Sequence, residues 1–519
     1  MLDTAIVGGG LCGLALAHGL HGQGTSFALF EARSRLGGRI LSVPCAASGM
    51  MLDLGPAWYW PDIQPRIARL VDELGLASFP QHDPGSVLRL TDPNKKPETL
   101  AAENLHGGAR RLDGGMAALV GSLSERLPAA ALHLEHELSA VLDRGDHVEL
   151  LFHHGNEMRR VQARRVALAL PPRLLDQQAR FEPALDAPLR EAMRATPTWM
   201  AGQAKAIVAY PRPFWREAGQ SGNAFVNHEQ AVLGEIFDAC NGSGEKAALG
   251  GFFALPPPFR ASIHSSAMTM LIASQLVQIF GEAAGDGEQH IQDWACEPYT
   301  CSALDRTPVS AHPEYGNLAL RSREWNGKLH FGSSETAAYG GGYLEGALEA
   351  AARIHRAFAE RLAPPSPAAA SRNGACLASF KDWVAEQRAS AGECYRQRLQ
   401  RHLSGQHREQ LTRLALLGTV EQVYRAAQDR LGALPFDAAA VGVQRGRSDL
   451  TPSVLEAFDG FNKALLDEAL LFNRGSCAIS NFPGEHDPDR DYVETIQRDL
   501  AAAWRAFALD TNALLLAKA

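Results

Sequence analysis

Three glycines, Gly8, Gly10 and Gly13, stand where the apolar run Ala5-Ile6-Val7 gives way to an apolar-faced helical stretch. A glycine at the first of these positions permits a tight turn, the second lets the backbone approach a pyrophosphate, and the third lets helix and strand pack closely. The pyrophosphate then meets free N–H groups at the positive end of a helix dipole. Glu31 closes the next apolar run, Ser26 to Phe30, about 20 residues further on, where a carboxylate accepts from ribose hydroxyls. Strand, helix, second strand and acid in this register predict a dinucleotide-binding site. A second residue able to do chemistry is Lys205, inside the alternating stretch GQAKAIVAYPRPFW (202–215). A lysine in an apolar strand is costly to bury unless paired or functional, and the plain alternative is an edge lysine reaching solvent.

The elements that must position these residues follow from periodicity. ARRLDGGMAALVGSLSERL (109–127) pairs two glycines with an amphipathic helix whose apolar positions are Met116, Leu119, Val120, Leu123 and Leu127. Alternating strands follow, in ALHLEHELSAVLDRGDHVELLFHH and RRVQARRVALALPP. Beyond LAPPSPAAASRNG (362–374), a linker by composition, the remaining residues read as helices with apolar positions at three- and four-residue spacing. Thr451-Pro452 reads as an N-cap followed by proline at the first helical position.

At 519 residues the chain exceeds one compact core, so two or three domains are expected. A net charge of −8 provides no global basic field for nucleic acid. The eight cysteines are scattered without a CxxC pair, which predicts reduced, packed thiols rather than a disulfide framework. His153-His154 and the pair His133 and His136 lack cysteine or carboxylate partners, so no metal is expected. With a strand beginning at residue 4 and no apolar stretch of the ~20 residues that span a bilayer, the expectation is a protein without a signal peptide or membrane span, located in the cytoplasm.

Three separated segments carry a family resemblance. Glu31, Arg33 and Gly37-Gly38-Arg39 resemble the E-A-R-x-R-x-G-G-R fingerprint of the flavin-containing amine oxidases. DLGPAWYWP (53–61), with Gly55 and Ala57, resembles that family's loop beside the flavin. FGSSETAAYGGGYLEGALEAAARI (331–354), with Glu335, Tyr343 and Leu344, resembles its C-terminal flavin segment. The resemblance implies FAD as cofactor and an α/β fold: a Rossmann-type FAD-binding domain interleaved with an α+β substrate domain, plus an all-α C-terminal region. Residues 1–80, 109–172 and 290–362 would form the FAD-binding domain, and 81–108 with 173–289 the substrate domain. Residues 363–374 would be the linker and 375–519 the helical domain. The gap from Pro80 to Ala109 is too short for the helical lid of the family. Two roles fit the tail: stability or oligomerisation, including a homodimer, or a replacement for that lid.

By the same resemblance, Gly8, Gly10, Gly13, Glu31, Arg33, Gly38, Arg39, Gly55, Ala57, Val141, Glu335 and Leu344 hold the cofactor, Val141 through a backbone contact to adenine. Lys205 would hold a water at flavin N5 and assist reoxidation by O₂. Trp294, in QDWACEPYT, and Tyr343 would pack near the ring, although tryptophan is also an ordinary core residue. Thr300-Cys301-Ser302-Ala303-Leu304 supplies no second aromatic, and Ala303 stands where a covalent cysteine would be, so FAD is expected to be non-covalent. Asp305 and Arg306 read as a surface ion pair or as a substrate-orienting pair. The implied activity is hydride transfer from an amine-bearing carbon to FAD, with O₂ as acceptor and a small-molecule substrate. Dehydrogenation or desaturation of a non-amine intermediate and a flavin-bearing binding or assembly protein are the alternatives.

Overall fold

The computed structural model describes residues 1–102, 104–307, 312–359, 367–404, 410–437, 443–444, 447–448, 450–476, 479 and 482–518. The chain separates into two compact units, Met1–Ala359 and Glu360–Ala519.

In the first unit, β1 (Leu2–Val7) lies in parallel between β2 (Phe27–Phe30) and the long strand Glu157–Leu168. Burial of Ala5, Ile6 and Val7 explains why this segment reads as an unbroken apolar run, as central parallel strands do. The helix α1 (Leu11–Gly22) follows and buries Leu14, Leu16 and Leu20 against Ile354 and Phe358 of the helix Leu344–Ala359. Glu157–Leu168 bridges two sheet styles. Its first half pairs antiparallel with Val148–His154, while its end pairs parallel with β1 and Leu329–Phe331.

The second sheet runs Glu288–Asp293, Ala204–Tyr210, Ala247–Phe253, Leu233–Asp238, Gln220–Val226, Ser86–Leu90, Glu98–Leu100. Strand Ala204–Tyr210 is buried on both faces. Ala204, Ala206 and Val208 meet Met268, Ile272 and Leu276 of the helix Ser265–Phe280, while Ile207 and Ala209 meet Leu52 in, and Leu54 just after, the hairpin of Ser42–Pro44 and Met51–Asp53 that leads into the flavin loop. Alternation therefore turns Lys205 toward that hairpin.

Residues 173–196, expected in the substrate domain, belong with the first sheet: Arg180–Glu182 pairs with Glu137–Asp143, and Leu185, Leu189 and Met193 pack under Val166 and Leu329. Periodicity identifies such a helix but not the sheet that covers its apolar face. Residues 290–293, expected in the FAD-binding domain, complete the second sheet as an edge strand. Among the described residues the 81–108 segment contributes two strands and no helix.

The second unit is helical: Pro367–Ser404, Leu411–Ala433, Leu450–Glu456, Phe461–Gly475, Pro483–His486 and Arg490–Ala517. Its own core gathers Phe380, Tyr395, Leu416, Tyr424, Phe458, Phe461 and Phe507, with Tyr424 stacked on Phe507 at 4.3 Å. Helix begins at Pro367, so residues 367–374 of the expected linker are helical, in keeping with the helix propensity of Ala368-Ala369-Ala370; residues 363–366 lie outside the described residues. Thr451 is not an N-cap but lies inside the first turn, donating to Asn512 Oδ1. The chain turns between Glu456 and Phe461, and Gly460, whose φ of 73° suits only glycine well, caps the helix that follows.

Candidate active site

The turn after β1 is built by glycine. Gly8 has φ 107°, and a Cβ on Gly13 would stand 2.0 Å from the Gly8 carbonyl oxygen, so strand and helix meet only because both side chains are missing. Gly10 caps α1 without a side-chain hydrogen bond, and the first turn carries no acid. Its N–H groups and dipole are left for an anion. A Cβ on Gly10 would meet nothing nearer than the Gly38 Cα at 4.0 Å. The crevice is thus a cradle that a side chain would enter and a phosphate can fill.

Glu31, 4% exposed, ends β2 and accepts from the Gly9 N–H at 2.7 Å and the Arg33 N–H at 2.9 Å. Its carboxylate thereby fixes the glycine turn while facing the same cavity. That cavity, about 380 Å³, runs from Gly8, Gly10, Glu31, Arg33 and Leu138 past Gly38, Arg39, Gly55 and Ala57 to Lys205, Trp294, Tyr343 and Leu344. Gly13 and Glu335 support its walls from behind. Glu335, fully buried, holds Arg39 at 2.7 Å and also accepts from the Trp199 N–H. Burial works against the Arg39 charge, but Glu335 outweighs it and raises the guanidinium pKa. Arg33 is engaged by Glu297 and Thr300. Val141 is buried in the core of the first sheet and does not line the cavity; His136, Glu137 and Leu138 of that segment do.

At the far end, Lys205 is 2% exposed and donates from Nζ to the Gly55 carbonyl at 2.8 Å. Trp58, Phe237 and Phe252 surround the ammonium at 5.7, 5.2 and 5.4 Å. Burial pushes its pKa down to about 7, with Asp53 opposing and buried Arg111 reinforcing the shift. Burial likewise raises the Asp53 carboxyl, which Ser42 and the Met116 N–H hydrogen-bond on one oxygen only. Trp294 Nε1 donates to the Leu54 carbonyl at 3.1 Å, so the indole is a placed wall of the cavity as well as a buried hydrophobe.

Tyr343, 40% exposed, stacks face to face on His312 with ring centroids 4.8 Å apart. His312 also leans on Trp199 at 4.5 Å and Tyr315 at 5.4 Å. The second ring beside Tyr343 therefore comes from residue 312, beyond the 300–304 segment where none was found. Trp199, Met200 and Phe252, which carried no motif, also line the cavity, as does Gln203 near Lys205. Asp305 is not paired with Arg306. It is buried, held by Arg173 at 2.8 Å, and accepts from Ser302 and the Thr198 N–H.

Comparison with known proteins agrees with this geometry. Residues 94–355 match the family described as flavin containing amine oxidoreductase, and residues 6–74 match the NAD(P)-binding Rossmann-like domain. The chain is 24% identical over 456 residues to the flavin-containing amine oxidase B of Sus scrofa, covering 68% of this chain and 85% of that one. It is 27% identical over 259 residues to the amine oxidase A of Equus caballus, covering 48% and 46%. Cyclohexylamine oxidase from Brevibacterium oxydans IH-35A superposes with a TM-score of 0.59 at 21% identity, over 69% of this chain and 99% of that one. Putrescine oxidase bound to putrescine gives 0.57 at 22%, over 69% and 99%. The chain belongs to the flavin-containing amine oxidoreductase family and is an FAD-dependent oxidoreductase. Among the described residues no helix is long and apolar enough to cross a membrane.

Proposed function

We propose that this protein oxidises a small-molecule amine, with O₂ as the terminal acceptor and FAD held non-covalently. The chemistry that FAD supplies when bound is acceptance of a hydride from the amine-bearing carbon and delivery of the electrons to O₂ as H₂O₂. The chain's own residues bind, orient and exclude water. The glycine turn with the N-terminus of α1 takes the pyrophosphate, and Glu31 takes the ribose. Trp294, Trp58 and Phe252 make the far end of the cavity apolar, which excludes water and favours the neutral amine that can lose a hydride. Tyr343, backed by the stacked His312 ring, forms an aromatic wall that guides the substrate.

The observation that carries the reading is Lys205: a buried ammonium with an acceptor on Gly55, its pKa near 7, at the end of the cofactor cavity. As a cation it stabilises negative charge arising on reduced flavin or on oxygen. Non-covalent attachment fits Cys301, which is buried outside the cavity lining and whose thiol is pushed up to about 11 by burial and then Asp305.

A panel of primary amines scored for H₂O₂ release, with anaerobic bleaching of the flavin as second readout, tests the proposal. Peroxide together with bleaching by at least one amine is the expected result. Bleaching only by a non-amine, passed to an artificial acceptor, would instead establish a dehydrogenase.

A further inference from the structure

Cys45 and Glu288 meet although 243 residues separate them in sequence. Glu288 and His290 alternate on the edge strand Glu288–Asp293, so both leave the same face, opposite Ala209 and Ile207 of the neighbouring strand. The hairpin formed by Ser42–Pro44 and Met51–Asp53 covers that face, and its turn places Cys45, 1% exposed, in the core with Ile207 and Ala209. The Cys45 Sγ lies 3.3 Å from Glu288 Oε2, and His290 Nε2 lies 2.7 Å from Glu288 Oε1. One donor atom of each residue falls within 4.8 Å of the others. The N–H groups of Ala46 and Ala47 donate to the two Glu288 oxygens at 2.8 and 3.0 Å.

A sulfur, an imidazole nitrogen and a carboxylate oxygen suit a borderline-soft cation bound at about 2.0–2.3 Å, whereas calcium and magnesium take oxygen donors. Cys45 closes the inner side, while His290 and Glu288 side chains are 22% and 29% exposed, which leaves the outer side open to a water ligand. We propose that Cys45, Glu288 and His290 form a binding site for a zinc-type divalent cation that ties the flavin-loop hairpin to the edge of the second sheet. The sulfur binds as thiolate and its proton leaves to solvent, while the Ala46 and Ala47 amides keep Glu288 oriented. Both tied segments lead into the cavity: the hairpin runs on to Leu54 and Gly55, and the strand runs on to Trp294.

The test uses the reduced, FAD-loaded protein, stripped with a chelator, desalted and titrated with Zn²⁺ in a calorimeter. One Zn²⁺ per chain is expected, with a dissociation constant in the micromolar range or tighter, a raised thermal midpoint and release of about one proton. Cys45→Ser and His290→Ala should each weaken binding at least tenfold (about 1.4 kcal/mol). His290 is partly exposed, and flavin content checks that its variant is folded. The absence of saturable binding would overturn the proposal and leave Glu288 as a hydrogen-bonded hub only. Undiminished binding in both variants, or Ca²⁺ bound as tightly as Zn²⁺, would overturn it equally.

Discussion

Lys205 reaches from the second sheet to donate to the Gly55 carbonyl of the flavin loop, across 2.8 Å and away from water. Among the described residues the ammonium thus has one hydrogen-bond partner and three aromatic neighbours, an environment that a methionine would fill with little loss of shape.

Lys205→Met should slow reoxidation of reduced enzyme by O₂ by about 10²-fold, the scale of removing one placed electrostatic contact, while reduction by substrate changes less. Stopped-flow measurement of the two half-reactions separates these effects. In the wild type the oxidative rate should fall as pH rises through about 7, as the cation is lost.

The same residue makes a stability prediction of opposite sign. Its folded pKa of about 7 lies below the ordinary lysine value of 10.5, so between those values the unfolded chain binds the extra proton. Its burial therefore costs stability in full below about pH 7, and that cost is relieved as pH rises toward 10.5. Lys205→Met should raise the thermal midpoint at neutral pH and flatten that part of the pH profile. A lower midpoint in the variant would show that Lys205 stabilises the fold.

Gly10→Ala and Gly13→Ala should fail differently. Alanine at 13 collides with the Gly8 carbonyl at 2.0 Å, so that variant should be poorly folded. Alanine at 10 has room in the protein but enters the phosphate cradle, so far-UV circular dichroism should stay unchanged while FAD content falls sharply. Flavin absorbance per chain reads both.

Glu31→Ala removes the acceptor of the Gly9 and Arg33 N–H groups, each of which costs about 1–3 kcal/mol when left unpaired. Loss of bound FAD and a lower thermal midpoint should appear together. Glu335→Gln takes the buried counter-charge from Arg39, which still donates to the Trp199 carbonyl and the Ser334 hydroxyl, and should lower stability by up to about 3 kcal/mol. Replacing both Arg39 and Glu335 by apolar residues of similar volume should recover part of that loss in urea unfolding.

A chain ending at Ala359 should keep FAD and its substrate kinetics, because the first unit has its own sheets and core and the helical unit buries Phe380, Tyr424 and Phe507 within itself. Changed KM across an amine panel would instead give the helical unit the work of the missing lid.

What was legible in the sequence is what is local in the chain. Gly8, Gly10, Gly13 and Glu31 share one strand–helix–strand unit, so their spacing alone reports the turn. Lys205 was legible for another reason: a charge within a run of apolar residues is conspicuous whatever surrounds it. His312 beside Tyr343 and Cys45 beside Glu288 and His290 were not, because only tertiary pairing joins them. The absence of a metal was inferred from local clusters such as His153-His154, and no spacing rule spans residues 45 and 288. That residues 180–193 pair and pack with the first sheet was not legible either, because an apolar helix face shows that it must be covered, not by what.

The second sheet has a consequence for how the molecule is made. Leu88 finds its neighbour in Ala224, and Lys205 is flanked by Phe252 on one side and Gln292 on the other. Likewise the end of Glu157–Leu168 waits for Leu329–Phe331. Pairings of such long range place this unit among slow-folding topologies, with open strand edges through most of synthesis. Some 330 residues must be available before the last of these edges is covered, and FAD, which binds the completed turn and walls, would act late as the ligand that draws the last conformers into the native state.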